Sequence, residues 1–187
     1  MARISKSKSR RGAEMMEFTL ALLPLLIMVF VLIDAAWGIF VKSTLAFAVR
    51  SGVRYGITVT GTQAKTAGPG GTASDLTTMV KKNVQASANG LLGKLQTDDG
   101  WTHIKVHYLQ PPAANSGAAI LDVCAQANGN APLNIMQVSI QGFTLHPLAA
   151  RLFGLRSAVD NASMNIGAVA ADLIEPSRDP PVKGVAP

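Results

Sequence analysis

One cysteine, Cys124, in 187 residues rules out an intramolecular disulfide framework and a cysteine-rich zinc site. Aromatic residues are scarce at 5%, so a basic stripe interleaved with aromatics, the footprint of nucleic-acid binding, has little to be built from. The net charge of +6 does not restore that reading. Arg3, Lys6, Lys8, Arg10 and Arg11 stand in the first twelve positions, which hold no acid. From Ala13 onward, 12 basic residues face 11 acidic ones, which leaves +1. The basic character is a short leader on a nearly neutral chain. No phosphate-cradling loop is present either, because Gly68-Pro69-Gly70-Gly71 lacks the Lys-Ser/Thr and the helix that should follow. The length suits one ordinary domain with something attached and is too short for two full catalytic domains.

What the chain does have is apolar length. Phe18 to Val41 spans 24 residues with one charge, Asp34. At about 1.5 Å per residue, such a helix covers about 36 Å, more than a hydrocarbon core of about 30 Å. A lone span satisfies its backbone only as a helix. Leu20, Leu23, Leu26, Val29 and Leu32 provide its lipid-facing bulk, and Pro24 predicts a mild kink near its start. The basic leader before the span, against Lys42 alone just after it, predicts a cytoplasmic N-terminus and an outer C-terminal part. A removable signal peptide fits less well. The apolar run exceeds the usual core of about 7–15 residues, and no small-x-small cleavage site follows it.

The boundary reads Arg11-Gly12-Ala13-Glu14-Met15-Met16-Glu17-Phe18. A carboxylate at the edge of an apolar helix is costly to bury. Glu17 could simply reach interfacial water. If the chain is cut after Gly12, however, Ala13 carries a new amino group, and Glu17 of one helix can pair with the terminal amine of its neighbour. Such a pair offsets the desolvation of both groups and sets the register of a helix bundle.

The stretch from Arg11 to Gly56 resembles the TadE-like family of the tight-adherence (Tad/Flp, type IVb-like) pilus assembly system. The shared features are Gly12 with Glu17-Phe18, the Leu-Pro-Leu-Leu run around Pro24, an acid late in the span (Asp34), and Arg50-Ser51-Gly52-Val53-Arg54-Tyr55-Gly56. The resemblance implies a non-enzymatic minor pilin or pseudopilin in the bacterial inner membrane, acting in surface adhesion. It further implies cleavage between Gly12 and Ala13 by a prepilin peptidase, assembly through Glu17 and Phe18, and partners among other pilin subunits and the assembly platform. An uncleaved single-pass anchor presenting a small binding domain is the alternative.

Helical spacing continues past the span. Leu45, Val49, Gly52, Val53, Gly56 and Ile57 share a face, with Arg50 and Arg54 elsewhere. Gly52 and Gly56 each cost about 1 kcal/mol in an isolated helix, so close approach of another element is expected there. The helix should end near residue 60, and 61–74 reads as a loop. The outer domain is expected over 75–175. A second helix begins at Ser74-Asp75 and carries Leu76, Met79, Val80, Val84, Leu91, Leu92 and Leu95, with Asn89-Gly90 as an interruption. Strands are predicted at Trp101–Leu109, Leu133–Leu145 and Ser157–Ile166, with a bulge at Gly142 and a short helical turn over Pro147–Phe153. Residues 176–187 hold four prolines and read as a disordered tail. The fold class is therefore α+β: a long transmembrane helix continuing into helices packed on a short antiparallel sheet, as in a pilin.

Chemistry is thin. His103 and His107 on one strand would stand about 13 Å apart, too far to share a metal. Cys124 has no acid–base partner nearby in sequence and is expected to be buried, although a distant histidine could approach it in the fold. Asp98 and Asp99 read as turn residues. No nucleophile, small-molecule substrate or cofactor site emerges.

Overall fold

The computed structural model describes residues 8–66, 75–113, 118–147, 163–176, 179 and 181–184. Contacts divide the chain into two units, Met1–Ile39 with His146–Ser163, and Phe40–Leu145 with Met164–Pro187.

In the first unit the described residues are almost wholly helix. The helix α1, Lys8–Thr58, runs without interruption through Pro24 and passes into the second unit. Its first part is largely apolar surface: residues 14–29 are exposed throughout, with Glu14, Glu17 and Thr19 the polar ones among them. Within the described residues it is one helix long and apolar enough to cross a membrane.

In the second unit α1 changes character. Val41, Leu45, Ala48, Val49, Val53 and Ile57 are buried, at the three- and four-residue spacing of one helix face, while Arg50 and Arg54 stay exposed. That face meets the helix α3, Leu76–Ser87. A Cβ at Gly52 would collide with Val84 Cγ2, and one at Gly56 with Met136 Sδ and, at 2.8 Å, Val80 Cγ2. Beside this contact, Ser51 Oγ donates to Asn83 Oδ1 (3.1 Å) and Ser87 Oγ donates to Ser51 Oγ (3.1 Å). Asp75 caps α3 by accepting from the Thr78 amide at 2.7 Å.

Under the helices lies a four-stranded antiparallel sheet in the order β2-β1-β3-β4. The strands are β1 (Ile104–Gln110), β2 (Leu121–Asp122), β3 (Ile135–Leu145) and β4 (Met164–Leu173). The register sets Ile104 opposite Ile140, Val106 opposite Val138 and Tyr108 opposite Met136, all six of them buried. Tyr108 turns its hydroxyl to Thr77 Oγ1 on α3, 3.2 Å away, so the largest buried side chain leaves no unsatisfied polar end. The β3–β4 ladder shifts register between Ile140 and Phe143, where Gly142 has φ +71°. This is the bulge that the phase change in the sequence predicts.

Several boundaries differ from the sequence expectation. Residues 61–66 are not loop but a short helix α2, Gly61–Thr66. Its start is a capping box: the Thr60 amide donates to Gln63 Oε1 (3.0 Å) and the Gln63 amide to Thr60 Oγ1 (3.3 Å). Helix α3 ends at Ser87, and Asn89 (φ 51°) and Gly90 (φ 84°) turn the chain away, so Leu91, Leu92 and Leu95 lie outside it. Trp101–His103 belong to the short helix α4, Asp99–His103, rather than to β1. The preceding turn is held by Asp98, whose carboxylate accepts from the Lys94 and Leu95 amides at 2.6 and 2.8 Å. The last strand runs Met164–Leu173, past the expected end at Ile166, because β3 offers ladder partners as far as Ile135 opposite Leu173, while the expected residues 157–162 lie outside the described residues. Residues 148–162, which include most of the expected turn after Pro147, lie outside the described residues. The expected disordered tail is ordered where it is described. The Leu76 amide donates to Val182 O (2.8 Å), the Thr77 amide to Lys183 O (3.1 Å) and Asn130 Nδ2 to Pro181 O (2.6 Å). These bonds satisfy amides at the start of α3 that the helix itself cannot.

Candidate functional site

Two groups of residues carry chemistry, one on the apolar helix and one on the sheet edge.

Gly12, Glu17 and Phe18 lie on the first part of α1, all exposed, and nothing stands within 4 Å of where a Gly12 Cβ would be. Ala13 follows in the same helix. Phe18 is 68% exposed and Leu20 77%, with Leu23, Leu26, Val29 and Leu32 also turned outward. Met15, Met16, Thr19, Leu20 and Leu23 line a shallow apolar depression. Apolar surface left in water costs about 25 cal/mol per Å², so this row of side chains calls for lipid or for other helices. Asp34 is half-buried. Gly52 and Gly56 sit far along the same helix, against Val84, Val80 and Met136.

The second group is one the sequence spacing hides. Pairing of Leu109 with Asp122 and of Gln110 with Leu121 brings the edge strand β2 alongside β1. That places His107 beside two residues 15 and 17 positions later. His107 Nδ1 lies 3.3 Å from Asp122 Oδ2 and 3.8 Å from Cys124 Sγ. The three ligand atoms all fall within 4.8 Å of one another. The Cys124 amide donates to Asp122 Oδ1 at 2.8 Å and the Tyr108 amide to Cys124 Sγ at 3.0 Å, which fixes both side chains from the backbone. Lys183 Nζ donates to the carbonyl oxygens of Cys124 and Gln126, beneath the same turn.

Cys124 is half-buried rather than fully buried. Desolvation, then its bond to Asp122, pushes the thiol up to about 11, against a lowering by the Tyr108 amide. Asp122 is held below its ordinary value by the Cys124 side chain first and by the Cys124 amide. Asp122 and Cys124 both meet the same imidazole nitrogen, whereas a nucleophile–base–orienter relay uses opposite nitrogens of the ring. With its thiol protonated at neutral pH, Cys124 is not an activated nucleophile. His103 stands apart from this group: its Nδ1 donates to Gln141 O at 2.8 Å beside the bulge.

The second unit is α+β, and the helix that leads into it is long and apolar enough to cross a membrane. The family model described as TadE-like protein matches residues 12–54, so this segment of the chain is TadE-like, consistent with the tight-adherence pilus family. The match begins at Gly12, takes in Glu17, the apolar run and Gly52, and stops short of Gly56. It supports a pilus-related role and association with the membrane. No curated protein and no solved structure matches the chain.

Proposed function

We propose that the protein is a non-enzymatic minor pilin or pseudopilin of a tight-adherence pilus, cut after Gly12 by a prepilin peptidase and assembled through its first helix. The observation that carries this reading is that the TadE-like segment, 12–54, opens on an apolar stretch of helix, exposed from 14 to 29, with Gly12 and Glu17 at its start. Within a helix, Gly12 lowers the cost of local unwinding by about 1 kcal/mol relative to Ala, which favours access of a peptidase to the Gly12–Ala13 bond. The basic leader keeps the N-terminus in the cytoplasm and the outer domain on the far side of the inner membrane. Release of the leader removes all five leading positive charges and leaves Ala13 with a terminal amine. Glu17 of one subunit pairs with that amine on the next, a bond that gains strength in the low dielectric between packed helices. The helix from Phe18 to Val41 then exchanges lipid for neighbouring subunits.

Intact-mass measurement and N-terminal sequencing of protein from membranes that contain the peptidase test the processing step. A start at Ala13 is expected, and a start at Met1 leaves the chain an uncleaved anchor. Glu17→Ala is expected to retain membrane insertion but to abolish pilus assembly; unchanged piliation would remove Glu17 from the mechanism.

A further inference from the structure

We propose that His107, Asp122 and Cys124 form a three-ligand site for zinc at the β1–β2 edge of the sheet. The proposal stands on residues outside the TadE-like segment and is independent of the pilus reading.

The donor set is one imidazole nitrogen, one carboxylate oxygen and one sulfur, a borderline-soft mixture that suits zinc better than calcium or magnesium. The spacing fits as well. Zinc–nitrogen and zinc–oxygen bonds of about 2.1 Å at a tetrahedral angle put those ligand atoms about 3.3–3.4 Å apart, and a zinc–sulfur bond of about 2.3 Å puts sulfur about 3.6 Å from nitrogen. The structure holds His107 Nδ1 at 3.3 Å from Asp122 Oδ2 and at 3.8 Å from Cys124 Sγ. Little movement is needed to seat an ion on all three.

The surroundings are those of a prepared site. The Cys124 amide orients the carboxylate through its other oxygen, Oδ1, at 2.8 Å. The Tyr108 amide points at the sulfur from 3.0 Å, a donor that stabilises a metal-bound thiolate. Both interactions come from backbone that is fixed by the sheet and the following turn. Side-chain exposures of 30% for His107 and 54% for Asp122 leave the ion an approach from solvent and a fourth position for water. Binding exchanges the thiol proton, released to solvent, for a sulfur–zinc bond. The consequence is mechanical: zinc ties the two-residue edge strand β2 and its following turn to β1.

The test uses the full chain in detergent micelles, freed of metal and titrated with Co(II) alone and then Zn(II). One equivalent of cobalt is expected to give intense tetrahedral d–d bands with a thiolate-to-cobalt charge-transfer band, and zinc to displace it. Cys124→Ser should lose the charge-transfer band. Asp122→Asn and His107→Ala should weaken zinc binding by at least roughly tenfold, while His103→Ala should bind as the parent does. Absence of the charge-transfer band in the parent chain, or zinc affinity unchanged in all three ligand variants, overturns the proposal. The spectrum of the parent decides the matter even if a variant fails to fold.

Discussion

At Gly52 the packing of the first helix comes down to one methyl group. A Cβ there runs into Val84 Cγ2, and valine has no flexible end with which to yield. Overpacking of this kind costs about 1–3 kcal/mol, against about 1 kcal/mol gained from the better helix propensity of alanine. Gly52→Ala should therefore lower the thermal midpoint of the α+β unit, and Val84→Ala should restore part of the loss, a coupling that a double-mutant cycle reads directly. Gly56→Ala should be milder, since one of its two obstacles is the thioether of Met136, although Val80 Cγ2 at 2.8 Å still resists. Asp98 acts through charge instead. Its carboxylate is held below the ordinary value of 3.8, first by the Leu95 amide and then by the Lys94 amide. A depressed carboxyl contributes stability above its unfolded value and loses it as pH falls through the folded one. The stability gap between parent and Asp98→Asn should thus be constant near neutrality and shrink below about pH 4, as pH-dependent denaturant unfolding would show.

At the scale of elements, legibility followed the strength of the local signal. The first helix was plain in the sequence because its apolar face is continuous from Val41 to Ile57, and β3 was plain because its alternation breaks at Gly142. Strand β4 was ended too early because its inner positions past Ile166 are Ala168 and Ala170, whose small side chains give weak alternation; the ladder to β3 decides where it ends. The start of α2 is written in Thr60-x-x-Gln63, a capping box shadowed by the glycines and proline that follow. The Cys124–His107–Asp122 group could not be read from spacing, since it exists only once β2 pairs with β1. Nor could the role of Val182 and Lys183, whose carbonyl oxygens serve α3 from more than a hundred residues away. A chain ending at residue 180 removes the acceptors of the Leu76 and Thr77 amides. Each buried donor left without a partner costs about 1–3 kcal/mol. Faster hydrogen exchange at Leu76 and Thr77 and a lower midpoint are the expected results; unchanged exchange would show that the segment is dispensable.

For the whole molecule, the division of α1 between two settings sets what can be separated. Full burial starts at Val41, and Val41, Leu45, Ala48, Val49, Val53 and Ile57 all serve the α+β unit. A fragment beginning at residue 40 should remain folded in water without detergent. One beginning at residue 61 should not, because each such side chain contributes about 1.5–3 kcal/mol and a domain holds only about 5–15 in total. Circular dichroism and sedimentation of the two fragments distinguish the cases, and a folded, soluble 61–187 would mean that the helix only carries the domain.

The bond from Leu76 to Val182 has a consequence in time as well as in space. Synthesis proceeds from the amino end, so α3 leaves the ribosome more than a hundred residues ahead of the strap that covers its first amides. During that interval the half-built domain has the first amides of α3 uncovered. Closure waits for Val182 and Lys183, which makes the lag between synthesis of α3 and its completion a property of the chain itself.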